Sequence, residues 1–279
     1  MPRLNYRQVD VFTSQPFRGN PLAVVAGADD LSDAQMQAIA NWTNLSETTF
    51  LCRPSNAKAD YRVRIFTPER ELPFAGHPTL GSCHVWLALG HTPKAAEVVQ
   101  ECGVGLVRIR RGGGRLAFAA PPPRRSGAVA PELLQTIASA LAIAPGAITA
   151  SQWVDNGPGW VAVMLASRAE VLAIKPDPVI LAGQPLGVVA PWDTARDGRE
   201  ADFEVRAFMS RRAAEDPVTG SLNAGLAQWL IGSGRASSSY VASQGTVLGR
   251  AGRVHVTQAG DDIWIGGDVA ACIEGTIAT

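Results

Sequence analysis

Lysine is nearly missing from this chain. Only Lys58, Lys94 and Lys175 occur among 279 residues, each in a polar or proline-flanked stretch. None sits in the apolar setting that lowers an amine's pKa, so a Schiff-base or pyridoxal enzyme is disfavoured. A surplus of one charge is missing too, because 25 Lys plus Arg balance 25 Asp plus Glu. That balance speaks against a dedicated nucleic-acid binder and against a polybasic membrane anchor. No charge-free apolar run approaches the ~18 residues of a transmembrane helix. The N-terminal MPRLNYRQVDVF lacks the apolar region of a signal peptide, which points to the cytoplasm. Cysteines are few: Cys52, Cys83, Cys102 and Cys272 stand far apart with no C-x-x-C. They read as buried free thiols and not as a zinc or thioredoxin-type site. H-E-x-x-H, a Walker loop and G-x-S-x-G are all absent. His77 and His84 are seven residues apart on one expected helix, about 10 Å by the rise per residue, too far to share a metal. No metal site is indicated.

What is present is a pattern used twice. The length allows one large domain or two modest ones, and an apolar content of 46% excludes a disordered chain. AAPPPRRSGAVAP, residues 119–131, reads as a linker, because successive prolines continue neither a helix nor a central strand. On either side of it, Val63-Arg64-Ile65-Phe66 matches Val205-Arg206-Ala207-Phe208 at an offset of 142. ELPFAGHPTLG from Glu71 matches EDPVTGSLNAG from Glu215 at 144, and GLVRIRRGGGRLAF from Gly105 matches GRVHVTQAGDDIWI from Gly252 at 147. Three matches in one order at nearly constant offset indicate a duplicated domain, with halves at residues 1–122 and 123–279. The last strand of the first half is a candidate for exchange with the second half.

Strands dominate, short and β-branched, bounded by Gly, Pro or Asn. YRQVDVF, LAVVAG, TTFLCR, YRVRIF and VVQEC read as strands in the first half; WVAVMLA, LGVVA, FEVRAF and a terminal hairpin do so in the second. Helices are fewer. SDAQMQAIANWTN opens with the capping box Ser32–Gln35. HPTLGSCHVWLALG follows Gly76, PELLQTIASALAI begins at Pro131, and SLNAGLAQWLIGSG follows Gly220. One apolar helix among short antiparallel strands in each half suggests an α+β fold of two small barrels, each around a central helix.

The Gly-led loops Ala75-Gly76-His77-Pro78 and Thr219-Gly220-Ser221 each open such a helix. Helix starts offer N–H donors and a positive dipole end to an anion, and glycine lets a ligand approach the backbone. Ordinary capping, with Ser221 as an N-cap and Gly76 as a turn residue, is the plainer reading of either loop alone; their duplication favours function. Glu47 lies in NLSETTF, where a helix gives way to an apolar strand. Partial burial there raises a carboxyl toward the range useful for proton transfer; a solvated loop glutamate is the plainer reading. Asp216, five residues before Ser221, is placed to orient a substrate or a protonated His77, or equally to cap its own loop.

PFRGNPLAVV (16–25), NLSETTF (44–50), RIFTPERELPFAGHPTLG (64–81), EDPVTGSLNAGLAQWL (215–230) and SQGTVLGR (243–250) resemble the PhzF-like, or phenazine-biosynthesis-like, family in order along essentially the whole chain. The resemblance implies the diaminopimelate-epimerase-like fold: two pseudo-symmetric halves, each a β-barrel around a central α-helix, with the active site in the cleft between. It implies a cofactor-independent isomerase, a homodimer, acting on a small carboxylate-bearing substrate by moving a proton between carbons. The family's catalytic glutamate falls on Glu47, and its supporting histidine, aspartate and serine on His77, Asp216 and Ser221. Ser46, Gly76 and Gly220 match its substrate-contacting positions. Related epimerases place a cysteine at the start of each central helix. Here those places hold His77 and Ser221, which favours one base, Glu47, over a two-thiol mechanism. Two other readings stand beside this one: a racemase, epimerase or dehydratase of an amino or hydroxy acid on the same cleft, and a non-enzymatic small-molecule-binding or interaction protein. Asn20, Trp42, Asn156 and Trp160 are candidate pocket residues of unassigned role.

Overall fold

A computed structural model describes residues 3–177, 179–181, 183–209 and 214–279. The chain divides into two units, residues 1–119 with 266–279, and residues 120–265. The division falls at Ala119/Ala120 and not at 122/123, and the C-terminal strand belongs to the first unit. The reason is strand pairing: β18 (Val269–Ala278) runs antiparallel to β1 (Arg3–Val11) from Val11↔Val269 to Arg3↔Ala278.

In the first unit β2 (Asn20–Ala26) pairs antiparallel with β1. Helix α1 (Asp33–Thr43) leads to β3 (Thr48–Cys52), parallel to β2, and then to β4 (Tyr61–Phe66), antiparallel to β3. The short β5 (Glu71–Leu72) folds back on β4 and delivers the chain to α2 (Gly76–Ala88). β6 (Val98–Cys102) lies parallel to β4, and β7 (Gly105–Gly112) with β8 (Arg115–Ala119) closes a hairpin.

The second unit repeats this order with one helix added. β9 (Arg125–Gly127), α3 (Pro131–Ala140) and β10 (Ala150–Asp155) come first, and β9 pairs with β10 as β18 does with β1. β11 (Val161–Met164), α4 (Arg168–Ala173), β12 (Leu186–Pro191) and β13 (Phe203–Met209) follow with the same parallel and antiparallel senses. β14 (Ala214–Asp216) leads to α5 (Gly220–Gly232), then β15 (Ser239–Gln244), β16 (Gly252–Ala259) and β17 (Asp262–Gly267). The duplication read from spacing is thus a duplication of topology, in mixed α+β units rich in strand.

The helices form for identifiable local reasons. At α1 the Gln35 N–H donates to Ser32 Oγ and the Ser32 N–H to Gln35 Oε1, at 3.3 and 3.0 Å. The helix ends where Asn44 turns left-handed, φ 54°. Helices α2 and α5 are buried around most of their circumference, as central helices must be. Each carries a glycine where the barrel presses closest. A Cβ on Gly81 would meet Leu22 at 2.5 Å, and one on Gly225 would meet the Val154 carbonyl oxygen at 2.2 Å. Each central helix also has a buried glutamine to satisfy its polar atoms. Gln100 Nε2 donates to Thr79 Oγ1 at 3.0 Å, while Gln244 Oε1 accepts from Asn223 Nδ2 at 2.9 Å and from the Thr219 N–H at 3.0 Å. Among the described residues no helix is long and apolar enough to cross a membrane.

Candidate functional site

In the first unit the loop between α1 and β3 carries Ser46, which is exposed, and Glu47, which is largely covered. Thr43 and Thr48, on either side of it, share a hydrogen bond of 2.7 Å that narrows the loop's base. His77 is the second residue of α2 and is 5% exposed. Its Nε2 lies 3.4 Å from Glu47 Oε2. Burial pushes the imidazole down to about 3, against a backbone hydrogen bond with Pro21 that acts in the opposite direction. His77 is therefore neutral at pH 7, and its approach to Glu47 is a polar contact and not an ion pair. The buried Asn20 amide lies 3.4 Å from His77 Nδ1. Asn20 is held in turn, because Asp10 Oδ2 accepts the Gly19 N–H at 2.7 Å. The run Asp10, Gly19, Asn20, His77, Glu47 thus orders the imidazole from one side and presents it to the carboxyl group on the other.

Helix α2 begins without a side-chain cap at Ala75. Its second turn-opening residue after Gly76 is His77, and Pro78 has no N–H, so the first-turn donors are those of Gly76 and His77. A carboxylate or a developing enolate oxygen suits such a helix start.

In the second unit α5 begins in the same uncapped way at Thr219. Asp216 Oδ2 accepts from Thr219 Oγ1 at 2.6 Å. Gln244 Nε2 donates to Thr219 Oγ1 at 2.9 Å and to the Asp216 carbonyl at 3.0 Å, which locks the loop ahead of Gly220. Ser221 Oγ accepts from Trp160 Nε1 at 3.1 Å, and the Ser221 carbonyl accepts from Asn156 Nδ2 at 2.8 Å. Trp160 is buried, so its indole is a rigid brace for the serine.

Glu47 and His77 are therefore in contact, with Gly76 beside His77; Asp216, Gly220 and Ser221 are gathered in the second unit. Asn156 and Trp160 are seen to support Ser221, and Asn20 to support His77. Trp42 lies apart, exposed on the outside of α1. Sequence reasoning missed Asp10, Gln100 and Gln244. The signal was there for the glutamines: each stands at offset 144 near the end of the strand after the central helix. None of the four cysteines stands at a helix start, and burial pushes the Cys83 thiol up to about 12, which leaves it inert as a base.

Residues 9–275 match the family model described as phenazine biosynthesis-like protein. The Schizosaccharomyces pombe protein named antisense-enhancing sequence 1 is 36% identical over 99% of this chain and 99% of its own. The Pseudomonas aeruginosa trans-2,3-dihydro-3-hydroxyanthranilate isomerase is 37% identical over 77% of this chain and 76% of its own. A crystal structure of a phenazine biosynthesis protein PhzF family member from Enterococcus faecalis superposes with a TM-score of 0.82 at 26% identity, covering 100% of both chains.

Proposed function

Because this chain belongs to the phenazine biosynthesis-like family and is an isomerase, we propose that it moves a proton between carbons of a small carboxylate-bearing molecule, with Glu47 as the general acid/base and no cofactor. The observation that carries this reading is the Glu47 carboxyl group set 3.4 Å from a buried imidazole that burial keeps neutral. A neutral imidazole adds no positive charge to hold Glu47 ionised. It lies beside one carboxyl oxygen and leaves the group able to take a proton from one carbon and return it to another. His77 assists that transfer or holds the substrate. The first-turn donors of α2 stabilise negative charge as it develops. Asp216 and Ser221, with Ser46, Gly76 and Gly220, bind the substrate. Trp160 fixes the Ser221 hydroxyl for that purpose.

The test is proton exchange in deuterated water, followed by mass spectrometry. Substrates are trans-2,3-dihydro-3-hydroxyanthranilate, on which the Pseudomonas relative is named to act, and a panel of small carboxylates. Glu47→Gln keeps shape and burial. It is expected to lower exchange by roughly 10²–10⁴-fold, the usual contribution of a general acid/base, while calorimetry shows binding retained. Undiminished exchange in Glu47→Gln removes the glutamate from the mechanism.

A further inference from the structure

The loop between β10 and β11 lies against the first turn of α5 and is held there from several sides. Asp155 Oδ1 accepts the N–H groups of Gly157 and Gly159 at 2.7 and 2.6 Å. The Val154 N–H donates to the Trp160 carbonyl at 3.0 Å. Gly157 and Gly159 take φ 147° and 92°, which a side chain would strain. The loop so formed brings Asn156 and Trp160 to one residue, Ser221. Asn156 is 9% exposed. The Ser221 carbonyl can only accept, so the Asn156 amide must turn its NH2 group to it, at 2.8 Å. That settles which end of the amide is the oxygen. Oδ1 is buried and has no hydrogen-bond partner among the described residues. An acceptor buried in this way destabilises the folded chain until a donor meets it. Glu47 Oε2 and His77 Nε2 are buried likewise, so cover over Oδ1 is the condition of other groups that the proposed reaction uses.

We infer that Asn156 is a specificity-determining residue: its Oδ1 accepts a hydrogen bond from an amino or hydroxyl group that the substrate carries beside its carboxylate. The inference rests on the reading above, in which Gly220 and Ser221 bind the substrate. The start of α5 otherwise offers donors. These are the first-turn N–H groups of Gly220 and Ser221, and the Ser221 hydroxyl, whose oxygen accepts from Trp160 and which still has its own proton to give. Donors suit a carboxylate; Oδ1 beside them suits an N–H or O–H on the neighbouring carbon. Asp216, the other acceptor of this unit's site, has Oδ2 already taken by Thr219. A fixed, dehydrated acceptor discriminates strongly, because an analogue without the donor leaves it unpaired. The site therefore takes amino- or hydroxy-carboxylates and rejects their counterparts that lack the donor.

Titration calorimetry of the full chain tests this with two matched pairs, 2-aminobenzoate against benzoate and lactate against propionate. In at least one pair the unaltered protein should bind the donor-bearing member roughly tenfold tighter or more, the scale of one hydrogen bond to a buried group. Asn156→Leu should remove that preference by weakening the donor-bearing member alone, with its counterpart bound as before. Should Asn156→Leu fail to give folded protein, Asn156→Ala decides by the same criterion. A preference that survives the substitution overturns the proposal. So does equal weakening of both members, which would make Asn156 only a brace for Ser221, and so does the lack of any preference or binding in the unaltered protein. Ser221→Ala separates the two readings, since it should weaken both members alike. If it changes neither, substrate binding at α5 fails together with this proposal; if it weakens both while Asn156→Leu leaves the preference intact, only the role of Asn156 fails.

Discussion

An arginine at matching places in the two units, Arg64 and Arg206, ties a covering helix to the sheet, and the two differ in burial. Arg64 on β4 grips Glu71 through two bonds of 2.8 and 2.7 Å and reaches Asp33 in the first turn of α1 at 2.6 Å. Arg206 on β13 grips Glu215 through bonds of 2.9 and 2.8 Å and reaches the carbonyls of Val171 and Ile174 at the end of α4 at 3.0 and 2.8 Å. The design is shared, yet the side chains of the first pair are 15% and 43% exposed and those of the second 3% and 9%. The second unit buries its pair where a lost partner cannot be replaced by water. Arg206→Met should therefore cost about 3–5 kcal/mol, because it strands the Glu215 carboxylate. Arg64→Met should cost about 1 kcal/mol or less, because water takes over. Urea unfolding of the two variants measures both numbers. Equal losses would mean that burial does not distinguish the pairs.

The two helix starts differ in a second way: one carries a titratable group and the other does not. Burial holds His77 at about 3 in the folded chain, against an ordinary histidine value near 6.5. Between those values the unfolded chain binds the proton and the folded chain does not. Stability from this group is complete above about pH 6.5 and is lost as pH falls toward the folded value. From pH 7 to pH 4 the loss amounts to about 3 kcal/mol. His77→Asn should remove that part of the acid sensitivity, read as the difference between the two urea-unfolding profiles. Ser221→Ala should leave the slope unaltered. Parallel profiles for the His77 variant and the unaltered chain would show that the imidazole is not held neutral by burial.

Much of this architecture was legible in the sequence because it repeats. Glu71 and Glu215, Gly81 and Gly225, and the paired V-R-x-F strands keep nearly constant offsets, and the capping box at Ser32 announced α1. Other parts were not legible for physical reasons. Helix α4 spans only Arg168–Ala173, too short to show a helical period, although its Ser167–Glu170 capping box was written in plain residues. Strands β5 and β14 have two and three residues, below what alternation can reveal. The return of β18 to the first unit depends on pairing with β1 across the whole chain length, which no local pattern encodes. At the site, Glu47, His77 and Ser221 could be singled out, and Asn20 and Trp160 named as pocket candidates, but what those two brace could not be read. Asn20 and Trp160 act through contacts 57 and 61 residues away in sequence.

Those braces permit the finest test of how the two units differ. In the first unit the braced group, His77, touches the proposed base; in the second, the braced group, Ser221, has a hydroxyl suited to holding a substrate. Trp160→Phe removes the indole N–H that Ser221 Oγ accepts and leaves a small cavity in a fully packed place. The stability loss should be about 1–2 kcal/mol, from one neutral hydrogen bond and a partly collapsed void. The freed hydroxyl no longer has one orientation to offer. If the second unit only holds the substrate, KM should rise by roughly 3–10-fold with kcat little changed, the mark of lost uniform binding. A fall in kcat with KM constant would instead place the serine among the groups that act in the transition state, and the division between a unit that transfers the proton and a unit that holds the substrate would fail.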